Sequence, residues 1–284
     1  VYPLWSQTTT APLRGLALAR ERGWLIAWDE HHWLSLLNLA GERQGLLQAP
    51  APLTAVCCAD DGSAFATAGT SGQVWFLAPD LMPRWERTLP RPALALALDP
   101  FANYLAAADD SGGLYVFDRL GRTMCQTACP RPLWFLAFVP ERPVLVGSAE
   151  FGLVASFDLT GRCQWRDGLV AHVGSLATSG DGSLIALACF SEGLCAYSLD
   201  LPQRRLIPSA GPCRMAALTF DGRLALTAGL DNRIRLTGTN GQPHDEWNPE
   251  GIVVSLALGP LGDYAVVGLA DGKMVGLALA NGQR

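Results

Sequence analysis

Three features of the 284-residue sequence predict an all-β fold, a seven-bladed β-propeller of four-stranded antiparallel blades. Similar segments recur every 40 residues. Each segment divides into four short strand-like runs separated by turn residues. The two chain ends complement each other, so that an N-terminal strand completes the last blade. A period of this length is read before any local motif, because it sets the architecture in which motifs sit.

The units begin near Pro12, Pro52, Pro92, Pro132, His172, Pro212 and Ile252, and together they are expected to form one domain over residues 1–284. A first turn lies about nine residues into a unit, as in the Asp-Gly sequences at 60–62, 180–182 and 220–222. A second recurs thirty residues in: Leu120-Gly121, Thr160-Gly161, Asn240-Gly241 and Asn281-Gly282.

The third unit shows the pattern in full. Its strands are expected at Ala93–Leu98, Tyr104–Ala108, Leu114–Phe117 and Arg122–Thr127. The separators are rich in Asp, Asn, Gly and Ser, which supply left-handed or self-bonded turn conformations. Leu94, Leu96 and Leu98 alternate with Ala93, Ala95 and Ala97, which suits a strand covered on both faces, one by large residues and one by small. No segment between turns shows a helical period.

The ends supply the closure. The seventh unit stops at Ala280-Asn281-Gly282-Gln283-Arg284, where its outer strand should begin, and residues 1–8 form an orphan strand ahead of Pro12. Joined head to tail, the two ends resemble GRTMCQTACPRPL of the third unit. Residues 1–8 are therefore expected to complete blade seven, which removes the open sheet edge.

The sixth unit, FDGRLALTAGLDNRIRLTG from Phe220 to Gly238, resembles the WD40 repeat. It has the Asp-Gly turn, an apolar strand with a small-residue end, and Asp231 at the structural Asp position. Ala171-His172 is similar to the Gly-His pair of that family. The Trp-Asp ending is absent from every unit; Phe117-Asp118 and Phe157-Asp158 come nearest, and Trp28-Asp29 falls at another phase. Most units lack the His, so the family's His-Asp-Ser/Thr-Trp hydrogen-bond network is not available to them. A divergent WD40-like propeller is what the resemblance implies, and with it a non-catalytic scaffold that binds a protein or peptide.

Composition narrows the functional classes. Charged residues are 17% of the chain and the formal net charge is −5, which gives no reason to expect nucleic acid or an anionic membrane as partner. No apolar run is long enough to span a membrane, and residues 1–15 lack the features of a signal peptide. Of the 21 basic residues, Lys273 is the only Lys. The eight Cys mostly occupy apolar strand-like runs; Cys125 and Cys129 have no second Cys pair or His at zinc-site spacing. A reducing compartment, the cytoplasm, fits this usage.

Candidate chemistry is sparse. Asp29-Glu30-His31-His32 is the densest cluster and reads as a polar turn between second and third strands. Asp109-Asp110, Glu150, Glu192, Asp231 and Asp271 fall on equivalent turns, where such side chains cap their own backbone. His172 reads as a structural residue at a strand turn, and His244 as a solvated outer-loop residue. No phosphate loop, nucleophile elbow or dinucleotide fingerprint is present. No catalytic group, metal or cofactor is expected; the alternatives are a propeller hydrolase or lyase with a site at the channel mouth, and a purely structural module.

Trp5, Trp85, Trp165 and Trp247 recur in outer strands and are expected to pack between blades. Trp134 sits two residues into its unit, where the other units have Arg14, Thr54, Leu94, Gly174, Arg214 and Val254. The family resemblance puts this position near the narrower face, where partners dock. Arg14, Arg91, Arg131, Trp134 and Arg214 are the candidate partner contacts, with Trp134 either a buried anchor or a core residue. The partner is a protein, a peptide or another domain of the same chain.

Overall fold

Repeated turn chemistry divides the chain into short strands that pair with their sequence neighbours, except in the last unit, whose sheet is completed from the other end of the chain. The computed structural model describes residues 1–168, 171–200, 202–208 and 211–279. The innermost strands are Leu13–Ala19, Leu53–Cys58, Ala93–Leu98, Phe135–Phe138, Val173–Thr178, Cys213–Leu218 and Val253–Leu258. The second strands are Trp24–Asp29, Phe65–Gly69, Tyr104–Asp109, Val144–Ser148, Ile185–Cys189, Leu224–Gly229 and Tyr264–Leu269. The third strands are Trp33–Leu37, Gln73–Leu77, Gly113–Asp118, Val154–Asp158, Gly193–Tyr197, Ile234–Gly238 and Lys273–Ala278. The outer strands are Arg43–Gln48, Pro83–Thr88, Thr123–Ala128, Cys163–Asp167, Arg205–Ile207, Pro243–Trp247 and Tyr2–Thr8.

Seven four-stranded antiparallel sheets result, and Tyr2–Thr8 is the outer strand of the seventh. It pairs with Lys273–Ala278, from Tyr2 opposite Ala278 to Thr8 opposite Lys273. The turn Asn281-Gly282 and the tail 280–284 lie outside the described residues.

The core is not one central mass. It is seven apolar layers, each shared by two adjacent blades. Between blades two and three, for example, Phe76 and Ala66 meet Leu96, Leu105 and Phe117. Burial of this kind is the main favourable contribution to folding.

The packing between Leu and Ala faces differs in one detail from the simple alternation expected for residues 93–98. Ala93 lies in the same layer as Leu96 and Leu98, with Ala97 facing blade four. The cause is a bulge: Ala93 pairs with Asp109 and Ala95 with Ala108, so Leu94 is the extra residue. The same bulge recurs at positions 14, 54, 174, 214 and 254.

Outer Trp residues join neighbouring blades. Trp5 of blade seven donates its Nε1 hydrogen to the Leu39 carbonyl of blade one at 2.6 Å, and Trp85 of blade two does the same to Arg119 of blade three at 3.2 Å. Each ring lies over a turn glycine, Gly41 (φ 78°) or Gly121 (φ 76°). A Cβ at either position would come within 2.7 or 2.9 Å of the indole. Between blades one and two the sizes are exchanged. Gly45 stands where Trp5 and Trp85 stand, and the turn residue opposite is the buried Leu81, itself at φ 66°. Trp165 stacks on Tyr197 of the next blade at 5.8 Å, and Trp247 packs into the layer between blades six and seven.

Candidate interaction face

On one face, here the upper, the chain passes from each outer strand into the next innermost strand, and the second and third strands turn. The bulge places residue 14 of the first unit, and its equivalents, at this upper mouth of the central channel. Blade four departs from the pattern: its innermost strand begins at Phe135 opposite Ser148, and Trp134 donates its backbone N–H to the Ser148 carbonyl at 2.9 Å.

Asp29, Asp109, Asp231 and Asp271 cap their own upper turns, as the sequence suggests, whereas Glu150 is exposed and Glu192 pairs instead with Arg204. Asp29 accepts hydrogen bonds from the backbone N–H groups of His31 and Trp33 and from the Thr10 hydroxyl. His32 has φ 64°, so the Asp29–His32 cluster is a capped turn. Asp109 accepts from Ser111, Gly113 and the Tyr115 hydroxyl, the last at 2.9 Å and buried. Burial pushes the Asp109 carboxyl up, but these donors outweigh it and hold the group below its ordinary value. Burial and the bond to Asp109 push the Tyr115 hydroxyl up to about 12. Asp231 is held down at about 2, chiefly by Arg235.

All five sequence candidates fall on the upper face, and only Arg131 and Trp134 lie together, at the entry to blade four. Arg14 is exposed and pairs with Glu30 at 3.1 Å. Arg91 is exposed in the loop leading into blade three, and Arg131 in the loop leading into blade four. Trp134 is 46% exposed, which excludes a place in the core. Arg214 is half-buried: its guanidinium donates to Asn232 Oδ1 at 2.6 Å, while its Nε is buried without a partner among the described residues. Burial lowers the Arg214 guanidinium from its ordinary value.

An apolar arc on the same face was not anticipated. Phe151, Phe190 and Leu230 occupy the upper turns of blades four, five and six, at 37%, 38% and 51% exposure. Trp134 and Ile252, at the mouths of blades four and seven, flank them. The corresponding turns of blades one to three carry Glu30-His31, Thr70-Ser71 and Asp110-Ser111. His172 ties the arc together: it forms a bridge with Phe151, their rings lie 4.9 Å apart, and its carbonyl accepts from Phe190 N–H. Its side chain is exposed yet lies against the Phe151 ring, and its backbone joins the turns of blades four and five. In sequence the arc shows only as apolar residues at the positions equivalent to 30 and 31 of the first unit, which carry polar side chains in blades one to three.

The central channel, about 290 Å³, is walled by Leu, Ala and Cys from the innermost strands. Its lower mouth is narrowed by Arg20, bound through two nitrogens to Asp60 at 2.7 and 3.0 Å and lying 6.0 Å from the Phe220 ring across the ring of blades. Burial lowers the Arg20 guanidinium, but Asp60 outweighs it and leaves the group above its usual value. His244 is not in a loop: it is the half-buried extra residue of a bulge in the outer strand of blade six and lines a cavity on the lower face. All eight cysteines are unpaired. Among the described residues no three His, Cys, Asp or Glu side chains gather at metal-binding distances, and no helix is long and apolar enough to cross a membrane.

Seven four-stranded blades with an N-terminal strand completing the last are a WD40-like seven-bladed propeller architecture. No family model matches the sequence. The chain is 28% identical over 234 residues to human WD repeat-containing protein 90. That similarity covers 75% of this chain, which spans 13% of the length of the human protein.

Proposed function

We propose that this propeller is a non-catalytic interaction platform that docks a protein or peptide on its upper face. The observation that carries the reading is the apolar arc from Trp134 to Ile252, exposed on a face whose other half is polar. Exposed apolar side chains gathered on one face mark interaction sites, and exposed aromatic side chains with neighbouring Arg are typical binding anchors. Trp134 serves as one anchor, and Arg131 and Arg214 as donors to carbonyl or carboxylate groups; Arg14 and Arg91 extend the surface around the ring. The similarity to a WD repeat protein supports a scaffold role, with the partner being another protein or another domain of the same chain. Against a propeller enzyme stand the apolar channel wall and the engagement of Asp29, Asp109, Asp231 and Asp271 as turn caps. The unpaired cysteines favour a reducing compartment such as the cytoplasm.

The test compares two surface variants in affinity capture from native extract. Phe151→Ser/Phe190→Ser/Leu230→Ser should lose the captured partners while retaining a cooperative unfolding transition. Phe101→Ser/Leu261→Ser, which alters exposed residues on the lower face, should retain them. The opposite pattern assigns docking to the lower face. Retention by both variants removes the support for an interaction platform on either set of residues.

A further inference from the structure

The arginines of the upper face differ in how their charge is met. Arg14 pairs with Glu30, Arg204 with Glu192, and Arg233 and Arg235 with Asp231 and Glu246. Arg131 and Arg166 have no carboxylate within ion-pair distance among the described residues. These two line one cavity of about 370 Å³ at the upper end of blade four, together with Gly152, Leu153 and Asp167.

Three features shape this cavity for a carboxylate. The Arg131 guanidinium rests against Gly152, where a Cβ would lie 3.3 Å from Arg131 Cζ; the glycine, at φ 77°, leaves room for it. Asp167, the one acid in the wall, already accepts the Tyr197 hydroxyl at 2.8 Å. The acid of the adjoining turn, Glu150, does not line the cavity, so its wall holds two Arg against one Asp. Arg is suited to such a role because its fork matches a carboxylate in shape as well as charge.

The apolar arc begins at the rim of the same cavity. Phe151 precedes Gly152 on its turn, Trp134 follows Arg131 by three residues, and His172 packs on Phe151. We propose that this cavity and rim take a linear peptide segment in which an Asp or Glu side chain is flanked by aromatic or aliphatic ones. The carboxylate enters between Arg131 and Arg166, and the apolar side chains lie on Phe151 and Trp134. This rests on the platform reading above and narrows it from any protein surface to an acidic, apolar peptide.

The experiment is selection of a random twelve-residue peptide display library on the whole 284-residue chain, in parallel with Arg131→Gln/Arg166→Gln and Phe151→Ser variants. Both altered sites are exposed, and thermal melts confirm that the variants fold. The expected pool on the wild-type chain is rich in Asp or Glu beside Phe, Trp, Leu or Ile. Its members should weaken about tenfold or more on each variant, a loss of about 1.4 kcal/mol, and should bind less tightly as salt is added. A pool of neutral or basic peptides, or acidic peptides that bind the double Arg variant equally well, overturns the proposal while leaving the platform intact. Failure to enrich any peptide on the wild-type chain over the variants also overturns it, and leaves a folded partner as the remaining form of the platform.

Discussion

Gly121→Ala tests the size matching that joins one blade to the next. The position has φ 76°, and an added Cβ would sit 2.9 Å from Trp85 Cδ2, 3.1 Å from Cγ and 3.2 Å from Cε2. Holding a non-glycine residue in the left-handed region costs about 1–2 kcal/mol. Forcing a methyl group into an already packed contact costs about 1–3 kcal/mol more. The variant should therefore lose about 2–5 kcal/mol, read as a lower midpoint in urea with an unchanged slope. The second contribution depends on Trp85, so the same substitution in a Trp85→Leu background should be cheaper by about 1–3 kcal/mol. Leu81 provides the internal precedent: it is tolerated at the equivalent turn, at φ 66°, where Gly45 replaces the Trp. An unfolding midpoint within experimental error of wild type, or an equal cost in both backgrounds, refutes the reasoning.

Three further outcomes follow from the same structure. Deleting residues 1–8 removes the partner of Lys273–Ala278; light scattering should show aggregation through the freed sheet edge, and an unchanged monomer with unchanged melting contradicts the closure. Tyr115→Phe leaves Asp109 without its buried donor and should cost about 1–3 kcal/mol by urea unfolding. The Tyr115 hydroxyl is raised in the fold, so its contribution is present below its ordinary range near 10 and is lost as pH climbs toward about 12; the variant should show a shallower stability decline across that window. Asp60→Asn leaves the half-buried Arg20 with a neutral partner and should lower stability by about 3–5 kcal/mol if the pair is as dry as a buried one. Its partial exposure reduces that figure, and recovery in Arg20→Met/Asp60→Leu would identify desolvation as the opposing factor.

The architecture was legible because it depends on period, turn chemistry and complementary ends, all of which are sequence properties. The 40-residue spacing puts unit starts near Pro12, Pro52 and Pro92, one residue ahead of the observed innermost strands at Leu13, Leu53 and Ala93, and the orphan strand at 1–8 has its expected pairing in Tyr2–Thr8. Local departures were less visible. The bulge at Leu94 moves Ala93 onto the face of Leu96, and neither residue type announces it. The polar neighbours of His244 suggest a loop, whereas an edge strand tolerates polar residues on its open side. The apolar arc was obscured because Phe151, Phe190 and Leu230 each stand alone in their turns. They come onto one face together only when the ring places blades four, five and six side by side.

The most direct test of the central claim is site-specific photocrosslinking, since Lys273 is the only Lys side chain available to amine-reactive reagents. A diazirine amino acid would replace Leu230 on the upper face or Leu261 on the lower, both exposed. The full-length protein would be irradiated in native extract and its adducts identified by mass spectrometry. The platform reading expects a reproducible protein or peptide adduct from position 230, absent from position 261 and lost with Phe151→Ser/Phe190→Ser. Adducts from position 261 with none from position 230 would contradict it.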